Sequence, residues 1–289
     1  MIKLAVIGAG NISHKHLEVV SSLKNFKLVS IYSRTKKKSL NVSKKFGIKK
    51  VFSSIDKMFD KDNYDAVLVF VGAENMYKTL IKIIKYKTPF FFEKPASLNF
   101  KQTKLLNNLA KKYKVKNMIG LNRRFYSNFD KGINFLRKKG GIKGILIEGH
   151  ERFWKIKKKN NQVYKNWIYA NSVHTIDLLR LFGGEVKQLK SFNNNIANYK
   201  NFTISIKFKN NIIGTYISNW HSPGGWSVTL FGKLFTVQFK PLEKGIIIDH
   251  KFKIKNIKSE WFDKKYKPGF YKQIKCFENL ILKGKLNFP

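Results

Sequence analysis

Residues 6–12 read VIGAGNI, an apolar strand running into Gly8-Ala9-Gly10 and then into helical sequence. The first glycine permits a tight turn, and the second lets a pyrophosphate approach backbone N–H groups at the positive end of a helix. A lone GxG is weak on its own. Here it stands at the start of the chain, follows a strand over 3–7 and precedes a helix inside a βαβ unit, a context that predicts dinucleotide binding with Gly8, Gly10, Asn11 and Ile12 as cofactor contacts. Ser13 occupies the place of the third glycine of the fingerprint. The competing reading is an ordinary glycine-rich βα turn.

Working outward, short apolar runs over 3–7, 28–32, 66–71, 89–92 and 117–121 alternate with longer segments of 3.6-residue periodicity. That rhythm means βαβ units and a parallel sheet. One such helix carries Leu98, Leu105, Leu106 and Leu109, with Ser97 as its expected N-cap. From about Phe125 the texture changes. A helical stretch over 128–139, stopped by Gly140 and Gly141, gives way to alternating runs over 202–208, 212–220, 226–231, 234–239 and 246–250. Turn signals at Asn210-Asn211, Pro223-Gly224-Gly225 and Gly232-Lys233 separate them. The expectation is a second domain on a broad, mostly antiparallel sheet with helices on one face.

The chain has 289 residues and a formal charge of +41, from 58 basic against 17 acidic residues. Such a charge would suit phosphate backbones or anionic membranes. Its distribution argues otherwise: six residues are Arg, leaving 52 Lys spread over the whole length, whereas base-edge and bidentate phosphate readers favour Arg. We read the lysines as solvated faces and expect no specific nucleic-acid partner, although the charge would steer anionic ligands. No apolar run approaches the roughly 20 residues that span a bilayer, and no leader is expected ahead of the first strand. A single cysteine, Cys276, excludes an intramolecular disulfide and fits a reducing compartment, so cytoplasm is the expected location.

Two further stretches carry chemistry. After the second strand, YSRTKKK at 32–38 offers Ser33, Arg34 and Thr35 where an NAD site usually places an acid, a substitution that favours the 2′-phosphate of NADP, with NAD as the alternative. At 90–98, FFFEKPASL ends an apolar strand in Glu93 and Lys94, clamped by Pro95. Charged residues there stand at a strand exit, where α/β sheets keep their chemistry. Lys94 would project beside the nicotinamide and could exchange a proton with a substrate hydroxyl; a surface lysine before a helix is the plain alternative. Glu93 is grouped with it as a cofactor contact. In NSVHTIDLLRLFGG, at 171–184, His174 and Asp177 share a helical face, so that Asp177 could orient the imidazole. A hydrogen-bonded core histidine is the alternative. The six histidines show no metal-ligand spacing, and no metal is predicted.

VIGAGNISHKH, EKPASL, IGLNRRF and VHTIDLLRLFGG, in this order and spacing, resemble the glucose-fructose oxidoreductase/inositol dehydrogenase/MocA family across essentially the whole chain. The resemblance implies a Rossmann domain over 1–121 and a substrate-binding and oligomerisation α/β domain over 122–289, with the substrate between them. It implies an NAD(P)-dependent oxidoreductase acting on a secondary hydroxyl or keto carbon of a sugar, cyclitol or nucleotide-sugar, with Lys94 and His174 beside the reacting carbinol. In that reading Lys94 exchanges the proton and His174 positions the hydroxyl. Arg124, Tyr126, Arg152, Trp154 and Tyr169 join His174 as substrate-rim candidates, with Trp167, Trp220 and His221 behind them. It further implies a homodimer or homotetramer that covers the open sheet face. The chain also departs from the pattern. Ala170 stands four residues before the histidine, where many catalytic members carry Asp; VGAENMY replaces the usual Thr/Ser-Pro-Asn and His; and the chain ends at LKGKLNFP, where relatives usually continue into a last helix. These departures keep a second function class open, a catalytically inactive sensor or regulator that binds dinucleotide or sugar.

Overall fold

The computed structural model describes residues 1–156, 161–194 and 200–286. The last three residues of LKGKLNFP lie outside the described residues. The chain forms two compact units. Met1–Leu121 make up most of the first, joined by Lys165–Ala170 and the last helix; Asn122–Tyr164 and Asn171–Gly269 make up the second.

The first unit repeats strand and helix: β1 (Ile2–Ile7), α1 (Asn11–Val20), β2 (Phe26–Tyr32), α2 (Lys36–Phe46), β3 (Lys50–Phe52), α3 (Ile55–Lys61), β4 (Ala66–Val69), α4 (Ala73–Ile84), β5 (Phe90–Glu93), α5 (Phe100–Lys112) and β6 (Asn117–Gly120). The six strands are all parallel, in the order β3-β2-β1-β4-β5-β6. This is the doubly wound Rossmann order. Leu4–Ile7 and Ala66–Val69 are almost wholly buried, as strands covered on both faces must be. The order reverses at β1 and β4, so the carboxyl ends of these two strands define the crevice where such sheets bind ligands. Helix α5 starts later than expected. Asn99, not Ser97, accepts from the Gln102 N–H, while Ser97 Oγ bonds the Asn99 carbonyl and thereby shapes the turn into the helix.

The second unit opens with a 3₁₀ turn, Asn122–Phe125, and contains α6 (Ser127–Lys138), β7 (Ile142–Gly149), all but the last residue of α7 (Asn161–Lys165), α8 (Val173–Gly183), β8 (Val186–Asn194), β9 (Asn201–Phe208), β10 (Ile213–Asn219), β11 (Trp226–Gly232), β12 (Phe235–Phe239), β13 (Gly245–Asp249), β14 (Ile254–Ile257) and α9 (Trp261–Lys265). Eight strands run β14-β13-β12-β11-β7-β10-β9-β8. Only β7 and β10 pair in parallel; the other pairs are antiparallel. Phe129 and Leu136 of α6 and Leu178, Leu179 and Phe182 of α8 pack with Ile145, Ile147, Phe208, Val228, Val237 and Phe239 of the sheet in one core. The edge strands β8 and β14 were not expected. They are exposed along nearly their whole length and carry no buried alternation to betray them.

The final helix, α10 (Phe270–Lys283), departs from the single cut expected at 121/122, because it clusters with the first unit. Its hold is aromatic and polar. The Phe270 ring stacks on buried His16 of α1 at 4.1 Å, Phe277 meets Phe91 of β5 at 5.7 Å, and Asn25 Nδ2 donates to the buried Glu278 carboxylate at 2.8 Å.

Candidate active site

The turn after β1 opens a cleft of about 400 Å³ at the carboxyl ends of β1, β2 and β4. Gly8 takes φ +109°. Gly10, the N-cap of α1, has no heavy atom within 4 Å of the point a Cβ would occupy, so the backbone at the positive helix end faces open space. A pyrophosphate fits that opening. Ser13, wholly buried, turns its Oγ back onto the Gly10 carbonyl at 2.6 Å and so occupies the place of the missing third glycine without a loose hydroxyl. Ser33, Arg34 and Thr35 line the cleft, and Asn11 and Ile12 form the first turn of α1.

Lys38, Lys78 and Lys82 line the same cleft, and among the described residues no carboxylate does. Arg34 Nη1 donates to Asn75 Oδ1 at 3.3 Å, which ties the guanidinium to the first turn of α4. Lys82 pairs with Asp56, and hydrogen bonds from Lys82 and the Tyr86 hydroxyl hold that carboxyl down at about 2. Sequence reasoning passed over these three lysines. Among 52 lysines, nothing in their spacing marks them out.

Lys94 emerges from the end of β5 half-buried, and its Nζ donates to the Ala170 carbonyl at 2.6 Å. At the position where the family resemblance leads one to expect an aspartate, this chain therefore offers a backbone acceptor. The Lys94–Pro95 peptide is cis. Glu93 corrects the sequence reading. Its carboxylate is buried and meets His16 Nε2 at 2.6 Å, with the imidazole stacked between the rings of Phe70 and Phe270. Glu93 thus serves the packing of β5 against α1 and α10, because a buried carboxylate needs a close polar partner.

His174 lies on the first turn of α8, 3% exposed. Its expected partner was Asp177, and here too the structure differs. Asp177 receives a bidentate pair from Arg124, Nε to Oδ2 at 2.5 Å and Nη2 to Oδ1 at 2.8 Å. That fork-on-carboxylate geometry outcompetes a single imidazole bond. Arg124 is accordingly a tie between the 3₁₀ turn and α8 rather than a rim residue. The histidine's partner is Arg123, whose Nη1 stands 2.9 Å from His174 Nε2 and whose guanidinium lies over the Trp226 indole at 5.0 Å. Behind α8, the buried Glu151 carboxylate accepts from Ser172 Oγ at 2.7 Å and Asn171 Nδ2 at 2.9 Å, anchoring the residues that lead into the helix.

Other rim candidates separate by burial. Tyr126 belongs to the core of the second unit, its hydroxyl donating to Glu243 at 3.0 Å, and burial pushes the phenol well above its ordinary range. Trp220 is likewise buried, donating to Ser218 Oγ at 3.0 Å. Arg152 and Trp154 follow β7 in a loop and a short 3₁₀ turn. Arg152 Nε donates to the Gly224 carbonyl at 3.2 Å, while Trp154 is 49% exposed. Tyr169 is also exposed, Trp167 is half-buried, and His221 packs edge-on to Phe153. Among the described residues no group of three or more His, Cys, Asp or Glu could hold a metal ion, and no helix is long and apolar enough to cross a membrane.

Residues 2–121 match the profile of the oxidoreductase family with the NAD-binding Rossmann fold, glucose-fructose oxidoreductase/inositol dehydrogenase/MocA. A myo-inositol 2-dehydrogenase of Thermotoga maritima is 30% identical over 130 residues, 45% of this chain and 39% of that enzyme. An NADP-dependent scyllo-inositol 2-dehydrogenase of Bacillus subtilis is 26% identical over 143 residues, 50% of this chain and 44% of that one. The chain thus spans less than half the length of these curated relatives. In fold, a dehydrogenase from Chromobacterium violaceum superposes with a TM-score of 0.85 at 14% identity, covering 98% of this chain and 88% of the other. The glycine turn, the strand order and the profile match converge on the first unit, whose residues 2–121 are similar to the NAD-binding Rossmann domain of the glucose-fructose oxidoreductase/inositol dehydrogenase/MocA oxidoreductases.

Proposed function

We propose that the protein is an NADP-dependent oxidoreductase that transfers hydride to or from a secondary hydroxyl or keto carbon of a sugar, cyclitol or nucleotide-sugar. The observation that carries the cofactor assignment is the cleft beyond β1, lined by Arg34, Lys38, Lys78 and Lys82 with no carboxylate among the lining side chains. An acid there would hold a ribose 2′-hydroxyl and repel a 2′-phosphate; cations and the Ser33 and Thr35 hydroxyls do the reverse. The inositol dehydrogenases among the relatives support the substrate class.

Bound in the cleft, the nicotinamide would supply or accept the hydride. The chain's own part is proton handling and placement. Lys94 gives its proton to the forming alkoxide or takes one from the hydroxyl, and His174 positions that hydroxyl. The Ala170 carbonyl steadies the ammonium but can neither give nor take a proton.

The cofactor assignment is tested by fluorescence titration with NADPH and NADH. NADPH should bind about 10- to 100-fold more tightly, the range that one or two charge-assisted bonds supply. Arg34→Ala should lose most of that margin while NADH binding stays put. Equal affinities in the wild type would exclude the assignment.

Self-association as a homodimer or homotetramer belongs to the same reading. Ile213, Gly144 and Phe231 stand in register across β10, β7 and β11 on the sheet face away from the helices, with Ile213 63% and Phe231 43% exposed. Such an apolar row favours a cover. Light scattering should return a multiple of the single-chain mass, reduced to one chain in the double variant Ile213→Lys/Phe231→Lys; a monomeric wild type would remove this part of the proposal.

The sensor reading draws on Ala170, since a site with no acid at that position has lost one route for protons. NADPH binding with no turnover across a sugar and nucleotide-sugar panel would favour it.

A further inference from the structure

We infer that Arg123 is a positioning residue that fixes the tautomer of His174, holding the ring neutral with its proton on Nδ1. The geometry leaves little choice. Arg123 Nη1 lies 2.9 Å from His174 Nε2. A guanidinium has five N–H donors, no acceptor, and keeps its charge at any pH a protein survives. Two donors cannot share that distance, so Nε2 must present its lone pair, and the ring proton resides on Nδ1. An imidazolium would turn N–H against N–H and charge against charge.

The arginine is itself held. The same Nη1 reaches Asn122 Oδ1 at 2.8 Å, Asn122 Nδ2 donates to the Pro268 carbonyl at 2.9 Å, and the guanidinium rests on the Trp226 indole, whose ring is also 5.9 Å from the imidazole. Cation–π contact with a half-buried indole restrains the guanidinium plane as well as its charge. On the other side of the pair, Glu151 clasps Ser172 and Asn171 and so fixes the start of α8.

Other charges around α8 are already engaged. Arg124 and Asp177 pair with each other, Arg180 pairs with Glu185, and Glu148 of β7 is occupied by Ser227, Lys240 and His150. The two consecutive arginines of NRRF thus divide the face that His174 and Asp177 share: the first takes the imidazole and the second the carboxylate.

The consequence deepens the function proposed above and rests on the role given there to His174. With its lone pair committed to Arg123, the neutral ring carries its proton on Nδ1 and has no basic nitrogen. It can orient a substrate oxygen by hydrogen bonding, but it cannot accept the carbinol proton. That task falls to Lys94.

The test is two-bond ¹H–¹⁵N correlation NMR of the imidazoles in the full-length protein at neutral pH, without nucleotide or substrate. Six histidines contribute, and His174 is assigned by the pattern lost in His174→Gln. Wild type should show the Nδ1–H form with an unprotonated Nε2. Arg123→Met should shift the population to the Nε2–H form that free imidazoles prefer, and Arg123→Lys, which keeps a cationic donor, should restore Nδ1–H. An Nε2–H or doubly protonated His174 in the wild type overturns the inference even if Arg123→Met does not fold, as does an unchanged tautomer in Arg123→Met. Because the readout needs no cofactor or turnover, a failure here is distinct from a failure of the oxidoreductase reading.

Discussion

Gly8→Ala is expected to cost the protein its nucleotide site and a large part of its stability. A Cβ at this position would sit 2.4 Å from the Phe70 carbonyl oxygen and 2.6 Å from its carbon, and the residue's φ of +109° is one that L side chains rarely adopt. Neither atom belongs to a side chain that could swing away. Phe70 N–H is bonded to the Ile7 carbonyl at 2.7 Å, and Gly8 N–H to the Tyr32 carbonyl at 2.8 Å, so the turn is stitched to the strands on both sides. Relief would require moving β4 against β1. Backbone strain of this kind belongs to the upper tail of single substitutions, about 4 kcal/mol or more, against a total stability of about 5–15 kcal/mol. Thermal melting should fall by roughly 10 °C, and NADPH titration should show no saturable binding. Gly10→Ala is the matched control. With open space around it and φ −84°, its methyl should leave melting nearly unchanged and weaken only the nucleotide, since it would project into the cleft. If Gly8→Ala melts within about 2 °C of wild type, the turn is not the fixed element described here.

What the sequence makes legible follows from where its residues are buried. Strands covered on both faces read as unbroken apolar runs, which is why β1, β4 and β5 stand out at once. Strands covered on one face alternate, which exposes β9, β10 and β12. Edge strands bury almost nothing, and β8 and β14 accordingly leave no pattern. Helix α10 has a clear amphipathic period, but its membership in the first unit depends on the contacts of Phe270 with His16 and of Phe277 with Phe91, partners far away in sequence.

Site residues divide in the same way. Lys94 and His174 are marked by motifs because the backbone around them is specialised: a strand exit clamped by proline, and a helix start anchored by Ser172 and Asn171. Partner choice is another matter. Arg123 and Arg124 are adjacent and identical in sequence, and only the direction each side chain takes from the 3₁₀ turn separates the histidine's partner from the aspartate's. The i, i+3 spacing of His174 and Asp177 suggested a dyad because spacing reports which residues share a face, not which third residue reaches that face first. Tyr126 and Trp220 misled for the opposite reason: an aromatic ring with a polar tip suits a sugar and suits a core equally well.

Lys94→Met is expected to abolish most turnover while sparing the nucleotide. Loss of a general acid–base group lowers rate by about 10²- to 10⁴-fold, read as NADPH absorbance change against whichever sugar, cyclitol or nucleotide-sugar the wild type turns over. NADPH affinity should remain within a few-fold, since the lining of the cleft beyond β1 does not include Lys94. The competing account makes Lys94 a tether that holds the Ala170 carbonyl at 2.6 Å. Lys94→Arg separates the two. A guanidinium can still donate to a carbonyl, but it does not give up its proton at any working pH. A tether would therefore tolerate arginine and a proton carrier would not. Turnover in Lys94→Arg close to wild type would sink the acid–base role and leave a structural contact. Equal and severe losses in both variants, with both still binding NADPH, would fix the proton on the lysine, since the Ala170 carbonyl offers no ionisable group to stand in for it.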